Sequence, residues 1–237
     1  MKLSALLSAI TGRLIVSCQA SEGHALRHTG TLARVARAAA DGRAAAIRCG
    51  GVGGVADVTA VAEAVDVPVI GLTKSGREGV FITPTVEAAR SVAATPAAVV
   101  ALDGTARPRP DGSALRDGIA AVHELGKLAM ADVSTAAEGI AAADAGADLV
   151  ATTLSGYTPN SRRTEGPDLA LVGELAAALP EVPIVAEGRY HAPEQAAEAI
   201  RAGAASVVVG TAITDPTWIT RSFAEAVTTA GGEHVGR

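Results

Sequence analysis

The chain has 237 residues, 49% of them hydrophobic and 19% charged, and a formal net charge of −5. That length supports a sizeable core and, for an α/β barrel, a single domain over 1–237. The acidic balance offers nothing to nucleic acid or to an anionic membrane surface, and 2% aromatic residues leave no base-stacking platform. No apolar run approaches the ~20 residues that a transmembrane helix needs. Cys18 and Cys49 have no metal-ligand spacing and read as small buried residues of a reducing, cytoplasmic compartment.

Residues 2–10 combine one basic residue with a short apolar stretch. Thr11-Gly12-Arg13 breaks that run, and Leu14-Ile-Val-Ser-Cys-Gln19 is needed as a strand. The opening segment therefore reads as a short helix closing the bottom of a barrel, not as a secretion signal. Apolar strands follow at 14–18, 45–48, 69–74, 98–103, 129–132, 149–153, 184–187 and 206–210, with Ala-rich helical stretches between them. In the first such stretch Leu32, Val35, Ala36 and Ala39 follow the spacing of a buried helical face. The repeat averages roughly 27 residues, close to a βαβ unit. About eight such units point to a TIM (β/α)8 barrel.

The punctuation agrees with this reading. Gly42, Gly126, Gly146 and Gly203 each stand before a strand, where a left-handed helix cap belongs. Thr135 with Glu138 makes a capping-box signature, and Pro193 suits the first turn of a helix. Gly50-Gly51-Val-Gly53-Gly54 lacks the dinucleotide spacing and reads as a flexible loop or lid. Arg107-Pro-Arg-Pro-Asp-Gly112 reads as a stiff loop, and 231–237 as a frayed tail.

In a parallel barrel, ligands bind at the carboxyl ends of the strands. Those ends carry Gln19, Arg48, Lys74, Asp103, Asp132, Thr152-Thr153, Glu187-Gly188-Arg189 and Gly210-Thr211. Any one of them has an ordinary structural reading, such as an ion pair or a cap. Charged groups at nearly every strand end require partners or a ligand. The set suits proton transfer beside a carbonyl. Burial and the charges of Arg48 and Arg189 would lower the pKa of Lys74, and Glu187 would approach the same centre from another strand. Gln19, Arg48 and Asp132 would hold sugar hydroxyls or an enolate oxygen. Gly188, Gly210 and Thr211 sit in the usual phosphate position of such barrels. A Schiff-base aldolase would carry lysine on its sixth strand, which here ends Ala151-Thr-Thr-Leu154. The five histidines lie away from the strand ends, which argues against a metal.

At these residues the sequence resembles the N-acetylmannosamine-6-phosphate 2-epimerases of sialic acid catabolism. The likeness is carried by Val69-Ile-Gly-Leu-Thr-Lys74, Phe81-Ile-Thr-Pro-Thr85, Thr152-Thr-Leu-Ser-Gly-Tyr-Thr158, Val185-Ala-Glu-Gly-Arg189 and Val208-Val-Gly-Thr-Ala-Ile-Thr214, among others. The resemblance implies a TIM barrel that interconverts N-acetylmannosamine 6-phosphate and N-acetylglucosamine 6-phosphate, an isomerase without metal or organic cofactor. It implies that Lys74 moves the C2 proton, that Glu187 is essential, and that Gln19, Arg48 and Asp132 contact substrate.

Two departures bear on the substrate. The family usually shows arginine after Ala-Ile-Thr, where it meets the phosphate; here Asp215 follows. At ~4 Å and an effective dielectric of ~20, a carboxylate repels each phosphate charge by roughly 4 kcal/mol before screening. The loop after Lys74 is also shortened to Ser75-Gly-Arg77-Glu-Gly79, where Arg77 would restore some charge. An unphosphorylated or differently substituted N-acylhexosamine is therefore the alternative substrate, and a non-catalytic sugar-binding barrel the alternative of another class. Ala-rich outer helices and Trp218 fit a homodimer and a monomer equally.

Overall fold

The computed structural model describes residues 1–76 and 78–235, the side chains of 232–235 excepted. Eight parallel strands close in chain order into a barrel: β1 (Arg13–Cys18), β2 (Ala46–Gly51), β3 (Val69–Thr73), β4 (Val99–Asp103), β5 (Leu128–Asp132), β6 (Leu149–Ala151), β7 (Ile184–Glu187) and β8 (Ser206–Val209), which pairs back onto β1. Helix α1 (Leu3–Ile10) precedes the barrel. After each of the first seven strands comes one helix: α2 (Thr29–Asp41), α3 (Gly54–Ala64), α4 (Val86–Ala93), α5 (Leu115–Glu124), α6 (Ala136–Asp144), α7 (Leu169–Ala178) and α8 (Pro193–Arg201). A single turn, α9 (Thr211–Thr214), follows β8 and leads into α10 (Pro216–Val235). This is the TIM barrel the spacing predicts. No helix among the described residues is long and apolar enough to cross a membrane.

The strands are continuous apolar runs because both faces are covered. Their side chains alternate between two environments, as the period of two requires. Ile15, Ala46, Ile70, Val99, Ala101, Met130, Leu149, Val185 and Val208 pack together inside the barrel. Leu6 and Ile10 of α1 join that cluster and close its bottom, as expected of the opening segment. The residues between them, such as Val100, Leu102, Ala129 and Val150, pack outward against the helices. Register carries the alternation from strand to strand: Val99 pairs with Leu128, Ala101 with Met130, and Asp103 with Asp132.

Several local expectations need correction. Gly50 and Gly51 are not a lid; they are the buried end of β2, and Gly54 begins α3. Close packing demands glycine there. Gly50 has φ 113°, and a Cβ on it would lie 1.9 Å from the Leu72 carbonyl oxygen. Gly126, Gly146 and Gly203 are left-handed caps, but Gly42 is not; Arg43 takes that conformation, at φ 75°. Thr135 caps α6 by accepting from Glu138 N–H at 3.3 Å. The Glu138 carboxylate completes no reciprocal box, because it accepts instead from Ser134 and from Ala106 N–H. Pro193 does open α8. Helix α10 runs to Val235, through most of the segment expected to fray, and 236–237 lie outside the described residues.

Gly50→Ala combines positive-φ strain with a backbone collision. Each is worth about 1–3 kcal/mol. A loss of about 2–5 kcal/mol in urea unfolding is expected, whereas Gly231→Ala, with nothing within 4 Å, should leave stability within about 0.5 kcal/mol.

Candidate functional site

The parity that fills the barrel also builds the site. Counting in twos from the interior residues gives Gln19 after Ile15, Arg48 after Ala46, Lys74 after Ile70, Asp103 after Ala101, Asp132 after Met130, Thr153 after Leu149, Glu187 after Val185, and Gly210 after Val208. The sequence therefore aims all of them at the axis of the barrel's upper end. A cavity of about 470 Å³ opens there, lined among others by Gln19, Lys74, Thr153, Tyr157, Glu187, Gly188, Arg189, Gly210, Thr211 and Asp215.

Beneath it lies a buried polar cluster. Arg48 and Asp132, 1% and 0% exposed, form a two-pronged pair, Nη1–Oδ1 3.0 Å and Nη2–Oδ2 2.6 Å. Arg48 Nη1 also lies 3.1 Å from Glu187 Oε2. The Thr153 hydroxyl donates to Asp132 Oδ1 at 2.6 Å and lies 3.1 Å from Glu187 Oε2. That hydroxyl has one proton, and the shorter contact uses it. Glu187 Oε2 takes the longer, weaker share of that donation and faces Arg48 Nη1 as well. Thr152, of the opposite parity, bonds the Glu187 backbone on both sides at 3.0 Å and so anchors the start of the following turn.

The electrostatics point the same way. Burial raises the Glu187 pKa to about 7, against the attraction of Arg48, with Asp132 adding to the rise. Burial lowers the Lys74 pKa and the Arg48 charge lowers it further, while Glu187 and Asp132 partly oppose this. Burial also disfavours the Arg48 charge, but Asp132 and Glu187 outweigh it and hold the guanidinium firmly protonated. A lysine brought down and a carboxyl brought up are two groups able to exchange a proton at neutral pH. Lys74 itself pairs with Ile82 in an isolated antiparallel bridge, and its ammonium has no carboxylate within 4.0 Å among the described residues. Arg48 Nε and Gln19 Oε1 are buried without a partner.

The other predicted residues fall into two groups. The backbone N–H groups of Gly188, Arg189, Gly210 and Thr211 find no backbone acceptor among the described residues, and these residues line one end of the cavity. Arg189 is less free than its position suggests. Its guanidinium donates to Ser155 O, to Gly166 O at 2.9 Å and to Thr164 Oγ1 at 2.9 Å, so it ties down the loop between β6 and α7. It also lies over the Tyr157 ring, 5.4 Å from its centre. Asp103 stays out of the cavity lining and binds Thr105 and Arg107 instead. Arg107 and Arg109 thus brace loops and do not reach the cavity. Arg77 lies outside the described residues.

Asp215 has a double role. It lines the cavity, yet its Oδ1 accepts the Trp218 N–H at 3.1 Å and lies 3.2 Å from His24 Nε2. His24 Nδ1 accepts from Leu26 N–H at 3.1 Å, so Nε2 carries the ring proton and donates to Asp215. Asp215 therefore caps α10 and fastens the loop between β1 and α2. Composition and spacing gave no sign of His24 in this position, because the partner is 191 residues away. Thr153 was missed as a site residue for another reason: only strand parity separates it from Thr152. No group of three or more His, Cys, Asp and Glu among the described residues could hold a metal ion.

These features define a (β/α)8 barrel with a buried acid–base cluster beneath a cavity at the carboxyl ends of its strands. The chain belongs to the N-acetylmannosamine-6-phosphate 2-epimerase family: residues 32–229 match the family described as "Putative N-acetylmannosamine-6-phosphate epimerase". A protein of Corynebacterium glutamicum carrying that 2-epimerase description is 49% identical over 93% of this chain and 95% of its own length. One from Cutibacterium acnes is 47% identical over 94% of this chain and 96% of its own. The solved N-acetylmannosamine-6-phosphate 2-epimerase of Clostridium perfringens superposes with a TM-score of 0.89 at 41% identity, covering 93% of this chain and 96% of that one. A thiamine phosphate pyrophosphorylase from Pyrococcus furiosus, 16% identical with a TM-score of 0.60, shares the fold alone.

Asp132→Ala would strand the buried Arg48 charge. Removing one member of a buried pair typically costs about 3–5 kcal/mol, so chemical denaturation should show a loss of that size.

Proposed function

We infer that this protein is a 2-epimerase that interconverts N-acetylmannosamine 6-phosphate and N-acetylglucosamine 6-phosphate, with Lys74 and Glu187 as its acid–base pair. The observation that carries the roles is that Lys74 and Glu187, brought by different strands, line one cavity, where burial pushes the lysine pKa down and the carboxyl pKa up. C2 becomes acidic only in the open-chain sugar, beside the free aldehyde. Lys74, neutral, takes the C2 proton from one face. The resulting enolate oxygen is held by Arg48, whose Nε has no partner of its own. Gln19 Oε1, likewise unpartnered, accepts from the substrate. Glu187, protonated, returns a proton to the opposite face. In the reverse direction the two exchange roles; the pair holds one proton before and after each turnover and two while the enolate exists, whose negative charge balances the added one.

The phosphate lies at the end of the cavity, against the N–H groups of Gly188, Arg189, Gly210 and Thr211. Asp215 lines the same cavity and keeps its charge, since the Trp218 N–H and His24 hold its pKa below the ordinary value in spite of burial, and its Oδ1 is engaged by those two partners. Buried, unpaired Cys18 and Cys49 fit a cytoplasmic enzyme.

Incubation in heavy water tests the reading directly. Deuterium should enter C2 of N-acetylmannosamine 6-phosphate, read by proton NMR, and not C2 of the free sugar. Exchange with the free sugar alone would move the assignment to an unphosphorylated substrate, and exchange with neither would overturn it. Loss of a general acid or base costs typically 10²–10⁴-fold. Lys74→Ala should lose C2 exchange from one epimer and Glu187→Gln from the other, each by about that factor. Full exchange from both epimers in Glu187→Gln would leave Lys74 serving both faces.

The same pair sets the pH dependence of kcat/KM. Below about 7 the pair holds two protons and no base is left, so the rate falls with falling pH. At high pH both protons are gone and the rate falls again. Because the Lys74 pKa is lowered, the alkaline limb should appear below the ordinary lysine value; a limb at or above that value would contradict the assignment.

A further inference from the structure

Gly50 is glycine because Leu72 crowds it, but Gly51 and Gly53 face polar side chains instead. Those side chains belong to a second buried ion pair, outside the catalytic cluster. Asp57 of α3 is fully buried and takes three donors: Arg27 Nη1 at 2.5 Å, Arg27 Nη2 at 2.8 Å and the Thr29 hydroxyl at 2.6 Å. Arg27 and Thr29 stand at the far end of the loop between β1 and α2, which begins with Gln19. Helices α2 and α3 already share an apolar cluster through Ala36, Val58 and Val61. A buried ion pair adds little net stability, since desolvation offsets the attraction. Its two parallel hydrogen bonds do fix a direction.

The ion pair reaches the active site by two routes. Gly53 lies flat against it, and a Cβ there would collide with Asp57 Oδ2 and Arg27 Nη2. Two residues earlier Gly51, at φ 65°, lies against Gln19, whose Oε1 would be 2.8 Å from a Cβ. The segment 51–53 is thus wedged between the ion pair and the Gln19 amide. On the second route, the Arg27 backbone N–H donates to His24 O at 2.8 Å, and His24 holds Asp215. The two loops meet around a side chamber of about 260 Å³ lined by Gln19, His24, Gly51, Val52, Lys74 and Asp215, among others. Gln19 Nε2 donates to Ser17 Oγ at 3.0 Å, which leaves Oε1 buried with no partner. We propose that Arg27 and Asp57 are positioning residues: their ion pair sets the segment 51–53, and with it the direction in which Gln19 Oε1 meets the substrate. The kinetic consequence rests on the role given to Gln19 above. The competing role is to join α2 to α3 and nothing more, in which case every effect follows stability.

Arg27→Met with Asp57→Leu removes both charges and strands neither, so urea unfolding should stay close to that of the wild type. KM for the phosphorylated sugar should nonetheless rise roughly tenfold with kcat little changed, the mark of a lost binding contact. In a Gln19→Ala background the same two changes should add less than about twofold, because the group they act through is already gone. A folded variant with unaltered KM, or a rise that persists in full without Gln19, overturns the proposal. Should the double variant not fold, Gly53→Ala, which pushes on the ion pair without removing a polar atom, carries the same expectations. A second readout needs no substrate. The chain has two glutamines, Gln19 and Gln195, so isotopic labelling of glutamine nitrogen gives two side-chain amide signals by NMR, and Gln19→Ala assigns them. The Gln19 signal should shift or broaden when the ion pair is removed. That of Gln195, whose amide oxygen accepts from His191 and Ala192 N–H, should stay in place. An unmoved Gln19 signal overturns the proposal. A wild-type chain that neither binds nor turns over the sugar phosphate strikes the functional reading, while the amide signals still decide the positioning.

Discussion

The upper end of this barrel depends on one ion pair. Arg48 and Asp132 are both withdrawn from water, and neither would be tolerable there alone. Together they form a nearly neutral, two-pronged unit from strands on different sides of the barrel. That unit leaves Arg48 a side to turn toward Glu187 and gives Thr153 an acceptor for its proton. It also sets the local field. Burial lowers the Lys74 pKa and the Arg48 charge adds to that, whereas burial raises the Glu187 pKa against Arg48, with a smaller contribution from Asp132. Two groups far apart in pKa in water are thus displaced toward each other, chiefly by their common burial.

The economy of the arrangement lies in its charge balance. With Lys74 neutral and Glu187 protonated, the buried cluster holds one compensated pair. With the proton moved from Glu187 to Lys74, it gains one positive and one negative charge together. Neither state leaves a net buried charge, so the proton can be lost to and regained from a substrate carbon without a large desolvation cost. Around this centre the loops are held by side chains that look catalytic in the sequence. Arg189 grips the loop after β6, Arg109 that after β3, and Asp215 with His24 the loop after β1. A guanidinium can donate five hydrogen bonds in fixed directions, which suits it to collecting stray carbonyls. Its presence at a strand end is thus no proof of substrate contact.

The division between sequence and structure follows the same physics. The sequence by itself determined the barrel, because apolar runs covered on both faces and spaced by helices admit few other closures. It also determined which residues point inward. Strand parity is strictly two, so Arg48, Lys74, Asp132 and Glu187 had to share one space once the strands were placed. Parity even separates Thr153 from Thr152. These are local rules, carried by neighbours in the chain.

Only the tertiary structure decided what those rules leave open. Gly50 and Gly51 read as a loop because glycine weakens a strand; the crowding by the Leu72 carbonyl that requires glycine comes from the adjacent strand. That Asp215 bonds His24 and the start of α10 was out of reach as well, because the histidine is far away in sequence and only the fold brings the two together. Local periodicity says which face of an element must be covered. What covers it depends on groups that the fold brings from elsewhere.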